Sequence, residues 1–413
     1  MKKIFVATLL PLFVLMNSAS ATNVAVIDSG LDVTHPFLIT SLWKNTPEYE
    51  GEDHFDDDEN GLIDDIFGYN FEQDNNDLID LLNNIEFMMS DYEYFELQDR
   101  VIRTKQGLDN LPQEEVDAFG LDNRRGHAYE FGHKAHGTHV SGIIAKENPL
   151  VNIMGIKKGN RIVEIAPYIK EIKNYQLKNV ALGDVEDLEE TVLYLKENNI
   201  RVANGSFGTP YEAVINRFLT LRTYGHHMSE IKYISRLYQI ELLKAQEETL
   251  SLSPKTLFVF AAGNSGYNND TKIFTPANVQ IDNALTVAAT IDRSALADFS
   301  CYGEKTVHIA APGVGILSTV PGDLLLKMSG TSQAAPFVTR VASLVLDVNS
   351  DLKSVEVKRI LIETVDKKDF LKGKVSSGGI VNEQRAIEAA RLSKDSSLEV
   401  AIQLANITIP DEL

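Results

Sequence analysis

Val24-Ala25-Val26-Ile27-Asp28-Ser29-Gly30 sets four apolar residues directly ahead of a carboxylate, a small hydroxyl residue and a glycine. An apolar run this short, ended by turn residues, is the pattern of a strand buried on both faces of a parallel sheet. Ile162–Ile169, Arg201–Phe207, Leu257–Ala262, Ala284–Ala289 and Val307–Ala311 read as further strands. Helical patterns fall between and after them. Asp184 caps a helix whose Val185, Leu188, Val192 and Leu195 share one face. Residues 211–249 form two amphipathic helices broken near Gly225. Gly330 opens a helix reaching Val348, and Val355–Val365 is another. Strands alternating with helices at this spacing predict an α/β fold, a mostly parallel central sheet with helices on both faces. There is no internal repeat and no Pro- or Ser-rich linker, so one domain is expected.

The chain has 413 residues, 44% hydrophobic and 24% charged, enough to bury a sizeable core. Its 39 basic and 59 acidic residues give a formal charge of −20. Such an excess repels phosphate backbones, and no basic patch offsets it, so nucleic acid is not an expected partner. The single cysteine, Cys301, excludes an intrachain disulfide and a cysteine-based zinc site. It reads as a small buried residue. Lys2 and Lys3, the apolar run Ile4–Met16 and Ala19-Ser20-Ala21 form the three regions of a secretory signal, residues 1–21. That run is short for a bilayer and contains Pro11. The expectation is a secreted or periplasmic protein, with no membrane span in the mature form.

Three segments carry chemistry. Asp28 places a carboxylate at a strand end. His136-Gly137-Thr138-His139-Val140-Ser141-Gly142 places an imidazole at a helix start, and Gly330-Thr331-Ser332-Gln333-Ala334-Ala335-Pro336 places a hydroxyl there. A serine hydroxyl is a poor nucleophile at neutral pH and needs a base within hydrogen-bond reach, itself oriented by a third group. His133, His136 and His139 recur every third residue, but the Glu of an H-E-x-x-H zinc helix is missing. His139 reads as a packed histidine beside the active one.

In the order Asp, His, Ser these segments resemble the subtilases, the subtilisin-like serine peptidases. So do Ser206-Phe207-Gly208, Ala261-Ala262-Gly263-Asn264 and Gly378-Gly379-Ile380-Val381-Asn382, and the likeness spans roughly residues 23–392. The resemblance implies a subtilisin-like three-layer sandwich over residues 22–393, with insertions at about 44–130 and 209–255. It implies Ser332 as nucleophile, His136 as base, Asp28 orienting the imidazole, and Asn264 with the Ser332 backbone N–H receiving the oxyanion. Ser206, Phe207 and Gly208 are similar to the strand on which the family pairs extended peptide; their plainer reading is an ordinary strand end, as Asn264's is a turn residue. Protein or peptide substrates follow, with no catalytic cofactor. A catalytically silent binding protein on the same fold is the competing reading.

The acidic insertion holds Asp56-Asp57-Asp58-Glu59-Asn60-Gly61-Leu62-Ile63-Asp64-Asp65. Oxygen ligands alternate and a glycine stands sixth, as in the first part of an EF-hand loop, although Phe67 holds the twelfth position in place of Glu. Structural calcium on Asp56, Asp58, Asn60 and Asp64 is one expectation, and a solvated acidic loop is the other. Cleavage after Ala21 leaves six residues before Asp28 and no room for an N-terminal prosegment. Control is then expected from calcium, from the 78–130 insertion lying over the cleft, or from a separate inhibitor. In the tail, residues 394–413, Leu398, Val400, Ile402 and Leu404 alternate with other residues and suggest an edge strand. Phe337 follows Pro336 where the family usually carries His.

Overall fold

The computed structural model describes residues 21–79, 87–158 and 174–412; residues 1–20 of the expected leader and the expected strand Ile162–Ile169 lie outside them. Twelve strands are described: β1 Asn23–Asp28, β2 Gly68–Asn70, β3 Asn152–Lys157, β4 Val202–Gly205, β5 Leu257–Ala261, β6 Ala284–Ile291, β7 Ala295–Leu296, β8 Ile309–Pro312, β9 Ile316–Val320, β10 Leu324–Met328, β11 Asp366–Lys367 and β12 Gly379–Ile380. Ten of them form one sheet in the order β11-β12-β8-β6-β5-β4-β1-β3-β2, with β7 on β6. Every pairing in that sheet is parallel except β11 with β12 and β6 with β7. β9 and β10 make a separate antiparallel pair.

The first strand shows why three layers form. Side chains alternate across a strand, so Val24 and Val26 enter one core while Ala25 and Ile27 enter the other. The first core takes Val140 and Ile144 of the His136–Ala145 helix, and Val338, Val341 and Val345 of the Thr331–Val348 helix. The second takes Leu188, Val192 and Leu195 of the Glu186–Glu197 helix, with Tyr238 and Leu242 of Met228–Leu250. β1 lies between β4 and β3, and because both pairings are parallel its C-terminal end shares one edge of the sheet with theirs. Catalytic groups gather at such carboxyl ends in open α/β sheets.

The structure corrects several expectations. The tail is a helix, Leu398–Thr408, capped by the Ser397 side chain. Its buried residues Ala401, Ile402 and Ala405 follow the helical period, while Val400 and Leu404 are exposed, so the alternation was a coincidence of spacing. The insertion at 44–130 contributes to the core: β2 joins the sheet edge beside β3, and Met89–Lys105 is a 17-residue helix burying Tyr94, Phe95 and Val101. Asp184 does not cap its helix; it accepts from Arg217 Nη1 at 2.5 Å and the Tyr238 hydroxyl at 2.6 Å, and Val185 stands at the cap. An ion pair to another helix outcompetes the first-turn amides. Of the two helices expected over 211–249, the second forms as Met228–Leu250, but the first ends at Arg217 and continues as a 3-10 helix, Leu219–Tyr224, that stops at Gly225 with φ +94°.

Candidate active site

Asp28 closes β1 and is almost wholly buried. Its Oδ1 accepts from the Ser29 backbone N–H at 2.7 Å and faces His136 Nδ1 at 2.7 Å. His136 is the first residue of its helix, and Gly137 lets that helix come close: a Cβ there would fall 2.1 Å from the Gly30 carbonyl oxygen. Because Asp28 Oδ1 can only accept as a carboxylate, Nδ1 carries the proton and Nε2 presents its lone pair. Burial pushes the His136 pKa down, but the charge and hydrogen bond of Asp28 outweigh it, and the net direction is up.

Ser332 lies in the first turn of the Thr331–Val348 helix. Its Oγ donates to the Ser206 carbonyl oxygen at 3.1 Å and not to His136. Hydrogen bonds of catalytic groups are often misaligned without substrate, so this rotamer is compatible with the role expected of Ser332. Its backbone N–H is among the first-turn amides without an intrahelical acceptor. Pro336 explains a second contact. It has no N–H to give the carbonyl four residues back, and that carbonyl, on Ser332, accepts from Ser206 Oγ at 2.9 Å.

Asn264 follows β5. Its Oδ1 accepts from the Thr331 N–H at 2.8 Å and the Thr331 hydroxyl at 2.9 Å, which fixes the amide orientation and leaves Nδ2 as the outward donor. Nδ2 has no protein acceptor among the described residues and lies over Gly330, at the mouth of the Ser332 turn.

Asp28, His136, Ser332, Asn264, Ser206, Phe207 and Gly208 line one cleft of about 1100 Å³. Ser206 is anchored by Asn204 Nδ2 at 2.9 Å, and beyond it Thr209 bridges antiparallel to Thr275. Between those anchors the backbone of Phe207 and Gly208 has no hydrogen-bond partner among the described residues, an open edge on which extended peptide fits. The Phe274 ring fills the space between two strand ends: a Cβ on Gly208 would fall 2.1 Å from it, and on Gly263 2.4 Å. Only glycine fits at either place.

His139 takes no part in this site. Its Nε2 donates to the carbonyls of Ile316 and Leu326, and burial lowers its pKa to about 4. The β9–β10 pair that supplies those carbonyls went unread in the sequence. Cys301 is buried, and burial pushes its thiol up.

The acidic loop folds differently from the expectation. Among the described residues the one group with ligand atoms mutually within 4.8 Å is Glu48, Asp58 and Asp65. Of the three carboxylates among the four expected ligands only Asp58 belongs to it, and the Asn60 amide lies beside it. Asp56 accepts from the N–H groups of Asn60 and Gly61, Asp64 from that of His54, and Asn60 turns its amide nitrogen to Asp58 and Asp65. Glu48 lies upstream on a short helix, outside any loop pattern. Asp65, fully buried, sits beside two other carboxylates, and burial drives its pKa up. Three carboxylates, the desolvated Asp65 among them, offer the hard oxygen donors that suit a divalent cation.

Comparison with known proteins bears on the whole chain. The model of the subtilase family matches residues 19–384. The chain belongs to the subtilase family. Among curated relatives, this subtilase is 26% identical over 386 residues to subtilisin-like protease 1 of Plasmodium berghei (strain Anka), covering 92% of this chain and 52% of that one. It is 27% identical to its Plasmodium falciparum (isolate 3D7) namesake, over 91% of this chain and 44% of that one. The subtilase thus spans about half the length of these relatives. A solved cold-adapted subtilisin-like serine proteinase is 20% identical, with 88% of each chain covered and a TM-score of 0.46.

Proposed function

We propose that this subtilase is a serine endopeptidase that cleaves peptide bonds through an acyl-enzyme. The observation that carries the reading is the 2.7 Å contact of Asp28 with His136 Nδ1, in a cleft that also holds Ser332 and the oriented Asn264 amide. Substrate binding would draw the Ser332 hydroxyl from the Ser206 carbonyl to His136 Nε2. Oγ then bonds to the substrate carbonyl carbon while its proton passes to Nε2, and Asp28 stabilises the imidazolium. The oxyanion accepts from Asn264 Nδ2 and the Ser332 N–H. Collapse breaks the C–N bond as the imidazolium returns its proton to the leaving nitrogen. Water then bonds to the acyl carbon as His136 takes its proton, and the C–Oγ bond breaks as the imidazolium returns that proton to Oγ. The acyl half of the substrate would pair with Phe207 and Gly208.

Export after removal of residues 1–21 belongs to the same proposal, supported by the leader-like sequence. Among the described residues no helix is long and apolar enough to cross a membrane. Thr22 supports the cut site: its N–H and hydroxyl both reach Asp347 Oδ1, at 3.1 and 2.6 Å, so a new ammonium there would meet a carboxylate. Calcium, held by Glu48, Asp58 and Asp65, would brace the loop. The test of the function is hydrolysis of unfolded protein and quenched peptides by the purified protein, with Ser332→Ala as control. Turnover that depends on Ser332 supports the reading; equal turnover in the variant removes it.

A further inference from the structure

A second cleft, of about 890 Å³, opens from the same His136, Asn264 and Ser332. It lies apart from the Phe207–Gly208 edge, which lines only the first cleft. Insertion residues between Phe95 and Glu130 form much of its wall: Phe95 and Ile102 from the Met89–Lys105 helix and Phe119 beyond it line its apolar part, with Lys105 and Glu130 also on the wall, while Phe299 and Met328 come from the domain.

This wall is built and held in place. Tyr94, Phe95, Ala128, Phe131 and Met328 belong to a third apolar cluster beneath it. Gly132 admits the Phe95 ring at a distance no Cβ would allow, 2.8 Å from where that atom would sit. Arg103 spans Asp99 and Asp292, each at 2.8 Å, tying the helix to the end of β6. Lys327 meets Glu96 at 3.1 Å, tying it to β10, and His127 meets Asp91 at 2.8 Å, joining it to the Arg125–Lys134 helix. Three of these contacts leave the helix, to Asp292, Lys327 and His127; each contributes little singly, but together they fix its position.

A peptide bound in extended form advances about 3.3 Å per residue and continues in one direction past the scissile bond. If its acyl half lies along Phe207 and Gly208, the half beyond the cleaved bond must leave by the other cleft. We infer that the insertion-walled cleft binds the leaving half of the substrate and selects large apolar side chains there. This rests on the peptidase reading and adds the insertion as a specificity element. Pockets of roughly 300–1,000 Å³ enclose ligands of several residues' size, so the first two leaving-side residues would be read.

Quenched peptides with one fixed acyl half and Leu, Phe, Ser or Asp in the first two leaving positions test this. Each variant's rate is normalised to the fraction that a fluorophosphonate probe labels, which counts folded, competent protein. The wild type should favour Leu or Phe over Ser by roughly 10- to 200-fold in kcat/KM, the discrimination an apolar pocket gives. Ile102→Asp and Phe119→Asp, on separate segments, should each collapse that ratio towards one. A wild-type ratio near one, or a ratio retained in both labelled variants, overturns the inference. Wild-type protein that does not label overturns the peptidase reading instead, and the inference with it.

Discussion

Asn264 provides a sharp test because the structure gives its two amide atoms different work. Oδ1 holds the Thr331 N–H and hydroxyl, while Nδ2 is the proposed oxyanion donor. Asn264→Ala removes both. Loss of the donor should lower kcat roughly 100- to 1,000-fold, about 2.7–4 kcal/mol, the loss reported for an oxyanion-hole asparagine of subtilisin. KM should change little, since that bond strengthens only in the transition state. Loss of the acceptor leaves a buried N–H at Thr331 unsatisfied, at about 1–3 kcal/mol of stability. Asn264→Asp separates the two effects. It keeps an acceptor for Thr331, so its melting temperature should stay nearer wild type, yet it puts an oxygen where the donor stood and should lose at least as much turnover as Ala. Steady-state kinetics on one chromogenic peptide, with thermal melts of the same preparations, measure both. An Asn264→Ala protein that melts earlier but keeps its kcat would reduce Asn264 to a turn residue and refute the reasoning.

Further outcomes follow from the same geometry. His136→Ala and Ser332→Ala should each remove nearly all turnover, and the double variant should lose little more, because the groups act as a unit; losses that multiply would contradict the assignment. His136 must be neutral to act as base, so kcat/KM should rise as pH climbs through its elevated pKa. Asp28→Asn removes the charge that outweighs burial, so the residual activity should show its acid limb at lower pH, read from a pH–rate profile. Chelation should lower the melting temperature, and Asp65→Asn should abolish that sensitivity whereas Asp56→Ala should not; identical melts with and without chelator would leave the loop without a cation. Sequencing the exported protein should find its first residue within one or two positions of Thr22, and a start downstream of Asp28 would contradict both the leader and the site.

What the sequence made legible follows from how local each signal was. Val24–Ile27 is buried on both faces, so burial appears directly as an unbroken apolar run, and Asp28 stands at its end. His136 and Ser332 sit at helix starts beside glycines whose close packing is itself a sequence signal. Elements decided by distant partners were hidden. β2 is three residues long and ends in Asn70, whose buried amide reaches the Asp77 carbonyl, so its place in the sheet leaves no apolar run. Asp184 looked like a cap until folding brought Arg217 to it. The cation group needed Glu48, which joins Asp58 and Asp65 only through the fold of the loop. In the tail, seven residues matched period two, and the helix face that packs against the Glu383–Leu392 helix became visible only in contact with it.

The central claim is that Ser332 is a nucleophile activated by His136 and Asp28. The most direct measurement is covalent reaction of the folded protein with a fluorophosphonate, followed by intact mass and peptide mapping. The account predicts one adduct per chain, on Ser332, formed orders of magnitude more slowly in His136→Ala and absent from Ser332→Ala. An adduct on another residue, or labelling of Ser332 at the same rate without His136, would contradict it.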